Sequence, residues 1–250
     1  MIDVATEDGV SVVRIEHGKA NALDTELMRE LSAALRKLGE RGTGAAVLTG
    51  TGGIFGAGVD LFRVLDGGDA YAAEFVPDLA RFLADLFEHP LPLVAAVNGH
   101  AIAGGCIVAC ACDYRVMADG KGTIGVPELL VGVPFPTAAI EIMRFAVPPQ
   151  ELQALVYTGR TCAADEALRR GVVNEVVAAD QLLTRARQIA GQLAAIPAAV
   201  FTTTKRALRS EVVARLRNDR TLDEVVRHWS SPDTRAHIQR YLDRTVRRAR

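Results

Sequence analysis

The chain has 250 residues, 49% of them apolar and 24% charged, with a net charge of −1, a composition ordinary for a globular enzyme able to bury a substantial core. No apolar run reaches the roughly 18 residues needed to cross a bilayer, so a membrane role is not expected. The opening Met1-Ile2-Asp3-Val4 lacks the basic-then-apolar pattern of a secretory signal, which makes the cytoplasm the expected location.

In chain order, Val10–Ile15 reads as a strand. Asp24 or Thr25 can cap a helix running to about Leu38, with Leu27, Leu31, Ala34, Leu35 and Leu38 on one face. Ala45–Thr49 is a short buried strand and Gly50–Gly58 a glycine-rich loop. Helical periodicity follows from about Tyr71 to Glu88 and is stopped by Pro90 and Pro92. Leu93–Val97 is a strand, followed by a glycine turn, an apolar helix and a strand at Asp113–Met117. This alternation of strand and helix is the pattern of an α/β architecture. After Pro136 the pattern turns helical: Thr137–Phe145, Glu151–Tyr157, Ala163–Arg170, Leu182–Ala194, Ala198–Arg217 and two more, interrupted only by a strand at Asn174–Val177. There is no repeat or low-complexity linker. The expected division is an α/β core over residues 1–195 and a helical C-terminal part over 196–250.

Two glycine segments are the chemical candidates, with close strand–helix packing as the alternative reading of their glycines. Asn98-Gly99-His100-Ala101-Ile102-Ala103-Gly104-Gly105-Cys106 reads as the end of a strand, a tight turn and the first turn of a helix, where free N–H groups face a negative charge. Gly52-Gly53-Ile54-Phe55-Gly56-Ala57-Gly58-Val59-Asp60-Leu61 also follows a buried strand and leads toward a helix. It is neither a G-x-G-x-x-G fingerprint nor a phosphate-binding loop, since no Gly-Lys-Ser/Thr closes it. Together the two segments offer one N–H donor each to a developing oxyanion.

Other features are weaker. From residue 201 onward thirteen Lys/Arg face six Asp/Glu, either a basic face for an acidic ligand or a solvated helical surface. The tail Arg244–Arg250 has no aromatic interleaving, so nucleic acid is not an expected partner. Cys106, Cys110, Cys112 and Cys162 form no zinc pattern and read as small buried hydrophobes, leaving no metal site expected. His100 has no serine or cysteine partner and reads as a turn histidine bonded to backbone; His228, Trp229 and His237 read as packing or surface.

Phe55–Leu61 and Asn98–Cys106 resemble the two fingerprints of the crotonase (enoyl-CoA hydratase/isomerase) superfamily. Cys112–Asp119 resembles its next strand, and Thr158-Gly159-Arg160 with Ala163–Val177 its later helix–strand step. The resemblance spans essentially the whole chain. It implies an α/β, crotonase-like spiral of ββα units with a helical C-terminal trimerisation region, assembled as a homotrimer or homohexamer, and an acyl-CoA thioester as ligand. It implies Val59 and Gly104 as oxyanion donors, flanked by Gly58, Asp60, Leu61 and Gly105. Lys19-Ala20-Asn21-Ala22-Leu23 resembles the family's early CoA-binding turn, which brings in Lys19, Ala20 and Ala22. Asp60 reads equally as a helix cap. Arg14, Lys19 and the basic C-terminal helices are candidates to meet CoA phosphates. Coenzyme A would be part of the substrate, and no metal or redox cofactor is implied.

Carboxylates decide the reaction. Hydratases of the family use two glutamates; here Ile107 stands at the first position and Glu128, in Gly125–Gly132, at the second. Ile107 cannot hold a water. A single glutamate in an apolar setting, with Val126, Leu129, Leu130 and Val131 beside it, has a raised pKa and can shuttle a proton. That arrangement resembles the family's Δ3,Δ2-enoyl-CoA isomerases. Phe135, in Val133–Pro136, either lines the acyl pocket or packs beneath it. The alternatives are a hydratase using Glu128 alone and a non-catalytic acyl-CoA-binding protein.

Overall fold

The computed structural model describes residues 1–245; the final part of the basic tail, residues 246–250, lies outside them. Five parallel strands form the main layer: β2 (Val10–Ile15), β3 (Ala45–Thr49), β5 (Leu93–Val97), β7 (Tyr114–Ala118) and β10 (Glu175–Val177). With β1 (Ile2–Glu7) antiparallel to β2, the order is β1-β2-β3-β5-β7-β10. The central strands are buried on both faces, which is why they read as unbroken apolar runs. Val12, Val47, Val94 and Ala96 meet α8 (Leu182–Ala194) on one face. Val13, Leu48, Ala95 and Val97 face the larger cluster under α1 (Thr25–Glu40), α2 (Leu61–Glu88) and α3 (Gly104–Ala111) on the other.

A second sheet, ordered β4-β6-β8-β9, consists of three-residue strands: Ile54–Gly56, His100–Ile102, Thr123–Gly125 and Thr161–Ala163. Each of β3, β5 and β7 is followed by one short strand of this sheet and then by a helix, so the chain winds as successive ββα units. The third unit ends in α4 (Glu128–Val131). Then come α5 (Thr137–Ala146), α6 (Pro149–Thr158), α7 (Ala164–Arg169), α9 (Ala198–Arg217), α10 (Leu222–Trp229) and α11 (Pro232–Thr245).

Several expectations are corrected here. The helix expected from Tyr71 begins at Leu61, capped by Asp60, and kinks at Gly68, whose φ of 60° breaks the apolar period. The 98–106 turn holds a strand, and a second strand, Thr161–Ala163, interrupts the helical part. Three residues are too few to show periodicity. Strand Ile2–Glu7 is almost wholly exposed, so it carries no apolar signal. The 195/196 division falls between α8 and α9, yet Val212, Val225, Trp229, Ile238 and Leu242 beyond it belong to the same apolar cluster as the core.

One buried charge cluster fixes α9 to that core. Asp113 accepts from Leu93 N at 2.7 Å, Lys205 Nζ at 2.7 Å and Arg209 Nη2 at 2.8 Å. Arg209 also donates to the carbonyls of Phe87 and Ala111, with its guanidinium 4.1 Å from the Phe87 ring centre. Removing the shared carboxylate strands two buried cations. Asp113→Asn is therefore expected to destabilise the fold by about 3–5 kcal/mol, read from urea unfolding at neutral pH. A loss within a few tenths of a kcal/mol would show that the cluster is solvated.

Candidate active site

The two glycine segments touch backbone to backbone. A Cβ on Gly105 would lie 2.1 Å from the Gly56 carbonyl oxygen, and one on Gly58 would lie 2.6 Å from Ala103 Cβ and 3.2 Å from Gly104 N. Gly58 has φ +85° and Ala103 φ +53°, unusual for a residue with a side chain. Ala103 is held there by its N–H bond to Gly125 O at 2.8 Å, which ties the turn to the strand leading to Glu128. Gly104 opens α3, so its N–H has no acceptor within the helix. Val59 is bridged to Leu23, but the bonds run from Leu23 N to Gly58 O (2.6 Å) and from Asp60 N to Leu23 O (3.0 Å), leaving its own N–H out. Among the described residues neither N–H has a protein acceptor. Two free N–H donors on abutting turns can together bond one anionic oxygen.

The Lys19–Leu23 turn lies along the first of these segments. Ala57 N donates to Ala20 O at 3.0 Å. Asn21, at φ 47°, donates through Nδ2 to Ile54 O and accepts from His17 N at 2.8 Å. Lys19 is exposed, while Ala20 and Ala22 are half-buried. Asp60 is occupied as a cap: its Oδ1 accepts from Phe62 N and Arg63 N. Arg63 reaches Asp24 at 2.9 Å and also pairs with Glu26, fastening the start of α2 to the start of α1.

Glu128 opens α4 rather than lying in a loop, as its place after Pro127 suggests in sequence. It lines a cavity of about 90 Å³ together with Val59, Leu61, Gly104, Ile107 and Phe135. Phe135 thus faces the cavity instead of only packing. Burial raises the Glu128 carboxyl from 4.5 to about 8, opposed weakly by its own backbone N–H. Its Oε2 has no hydrogen-bond partner. The expected neighbours supply that desolvation only in part: Val131 lines the cavity and Val126 is buried. Leu129 and Leu130 are 42% and 50% exposed, pointing away. The rest of the apolar wall comes from Leu79 and Leu83 on α2, Ala139 on α5 and Trp229 on α10.

Trp229, read from the sequence as packing or surface, and Tyr241, unremarked there, both reach the cavity from the C-terminal helices. Helix periodicity does not reveal them, because their partners lie more than 90 residues earlier. Gly132, at φ 91°, ends α4, and a Cβ there would lie 2.6 Å from the His237 ring of α11. The last helix is thus seated on the turn that carries Glu128. His100 lies outside this geometry; its Nδ1 accepts from Thr123 N at 3.2 Å. The four cysteines are buried and free.

The enoyl-CoA hydratase/isomerase family matches this chain over residues 5–246. Enoyl-CoA delta isomerase 1 of Mus musculus, a mitochondrial protein, is 31% identical over 245 residues, covering 97% of this chain and 84% of that protein. A probable enoyl-CoA hydratase of Rhizobium meliloti is 35% identical over 231 residues, covering 88% of this chain and 86% of that one. The crystal structure of human mitochondrial Δ3-Δ2-enoyl-CoA isomerase superposes with a TM-score of 0.94 at 28% identity, over 99% of this chain and 98% of that one.

The raised Glu128 pKa has a stability consequence. Between about pH 4.5 and 8 the native carboxyl keeps a proton that the unfolded one releases. Stability from this group is thus full below 4.5, falls as pH rises and levels off above 8. Glu128→Gln, which cannot titrate, should gain on the wild type by about 1.4 kcal/mol for each pH unit climbed inside that window. Denaturant unfolding of both proteins on either side of the window reads the gap; a gap that does not change with pH would remove the buried, protonated carboxyl.

Proposed function

The chain belongs to the enoyl-CoA hydratase/isomerase family, and within it we propose a Δ3,Δ2-enoyl-CoA isomerase. The observation that carries this reading is the solitary carboxylate. Glu128 is the one acidic side chain among the described residues lining the cavity, and Ile107 lies on the same wall. One carboxylate suffices to move a proton between carbons, whereas the family's two-glutamate hydration needs a second carboxylate at the position that Ile107 holds.

In the mechanism, the thioester oxygen sits between Val59 N–H and Gly104 N–H. Ionised Glu128 takes a proton from C2 of a 3-enoyl thioester, and the electron pair moves onto the thioester oxygen as a dienolate. The two N–H groups bear that charge. Protonated Glu128 then returns the proton to C4, and the double bond is left between C2 and C3. Burial suits Glu128 to both halves, since a pKa of about 8 lets it give the proton back as readily as it takes it. No metal or redox cofactor is needed, and coenzyme A enters as part of the substrate.

The Lys19–Leu23 turn is the proposed CoA contact, supported by its hydrogen bonding beside Ala57 and Gly58. A homotrimer or homohexamer is part of the same reading: Phe145 and Leu208, 42% and 68% exposed, share one surface groove with Phe201. No helix among the described residues is long and apolar enough to cross a membrane. Free cysteines suit a reducing compartment such as the cytoplasm, although the mammalian relatives are named as mitochondrial. A hydratase is the second reading, favoured by the Rhizobium meliloti relative.

Turnover of a 3-enoyl-CoA beside hydration of crotonyl-CoA separates the two. The isomerase predicts conversion of the first, with Glu128→Gln lower by about 10²–10⁴. The wild-type rate should rise with pH until it levels near 8, where the free carboxyl is ionised. Hydration of crotonyl-CoA in place of isomerisation would establish the second reading. Tight acyl-CoA binding without turnover of either would make the chain a binding protein.

A further inference from the structure

Exposure gives the cavity a direction. Ala57, Val59, Leu61, Ala103, Phe135 and Tyr241 are half-buried and form its open side, next to the free N–H groups. Leu79, Leu83, Val133, Ala139 and Trp229 are buried and form its closed side. Trp229 is the largest of these and is 2% exposed. It is held on two sides: Nε1–H donates to Pro134 O at 2.9 Å, and the indole leans on the Phe75 ring at 6.4 Å between centres. Swinging the indole aside would break the hydrogen bond, lose the ring contact and release the 133–136 wall, so the closed end does not yield by a rotamer change alone. The cavity it helps to line is small, about 90 Å³ in all.

We propose that Trp229 is the specificity-determining residue of this enzyme, closing the acyl end of the cavity and restricting it to short-chain acyl-CoA thioesters. The inference rests on the reading that the acyl group occupies this cavity, but it does not depend on which reaction follows. While a chain still fits, each added methylene should tighten binding about fourfold. The first methylene that meets the indole must instead displace a packed wall, which reverses the trend.

The chain contains a single tryptophan, so its emission reports from the closed end. Saturated acyl-CoAs from acetyl to dodecanoyl have no double bond to move, which separates this test from isomerase activity. Their affinities for wild type, Trp229→Leu and Trp229→Phe are measured by calorimetry, with emission followed in the wild type. The expected wild-type result is affinity rising to a limit no longer than octanoyl and then falling by about tenfold or more. The emission change should begin at the chain length that reaches that limit. Trp229→Leu should move the limit to longer chains, raising the affinity for dodecanoyl-CoA relative to butyryl-CoA by about tenfold or more. Trp229→Phe keeps a ring against Phe75 and should move the limit less; it carries the test if the leucine variant does not fold. Affinity that climbs through dodecanoyl in the wild type would overturn the proposal. So would variants that weaken all chain lengths by one factor, or the failure of every acyl-CoA to bind. An enzyme without isomerase turnover that still shows the limit would overturn the isomerase reading and leave this one standing.

Discussion

Two backbones pass each other in this protein with no room for a side chain between them. Gly56 lies against Gly105, and Gly58 against Ala103 and Gly104, at separations where an added methyl group would fall 2.1–3.2 Å from the facing atoms. That approach places two unpaired N–H groups from distant segments beside one another, and the neighbouring elements are arranged to keep it. The short second sheet pairs β4 with β6 and β6 with β8, so the strands entering the two turns and the strand leading to Glu128 are consecutive members of one ladder. Ala103 accepts a positive φ because the Gly125 carbonyl takes its N–H. A strained residue at such a position persists only where its surroundings over-determine it.

The second constraint is electrostatic. A carboxyl at an ordinary pKa is a poor acid near neutrality, and Glu128 is lifted to about 8 because apolar groups from several separate helices surround it. The same burial weakens the fold wherever the group ionises, a local conflict of the kind expected at functional sites. The buried cluster of Asp113, Lys205 and Arg209 contributes from the other side of the core, fixing α9 so that α10 and α11 can return over α2 and α4.

Much of this is legible in the residues. The long strands announce themselves as apolar runs, the glycine segments stand out as breaks between strand and helix, and Ile107 against Glu128 already argues for a single carboxylate. The short strands are not legible, because three residues bear no period and their identity lies in the ladder they join. The source of Glu128's desolvation is partly hidden for a similar reason. Val131 beside it lines the cavity as its place suggests, but Leu129 and Leu130 face solvent and the helices that complete the wall are distant in the chain. Trp229 and Tyr241 cannot be placed at all from sequence, since nothing local marks which face of a late helix returns to the core.

The cavity draws on residues from Ala57 to Tyr241, and this has a consequence for how the protein comes into being. During synthesis the glycine turns, Glu128 and most of the sheet leave the ribosome well before α10 and α11 exist. A nascent chain can therefore hold both glycine turns and the carboxylate while lacking the part of the wall that Trp229 and Tyr241 supply. Contacts of such wide sequence separation form late and slowly. The full burial of the carboxyl is thus the last property the chain acquires, so a partly made protein has the turns and the carboxyl without the enclosed cavity.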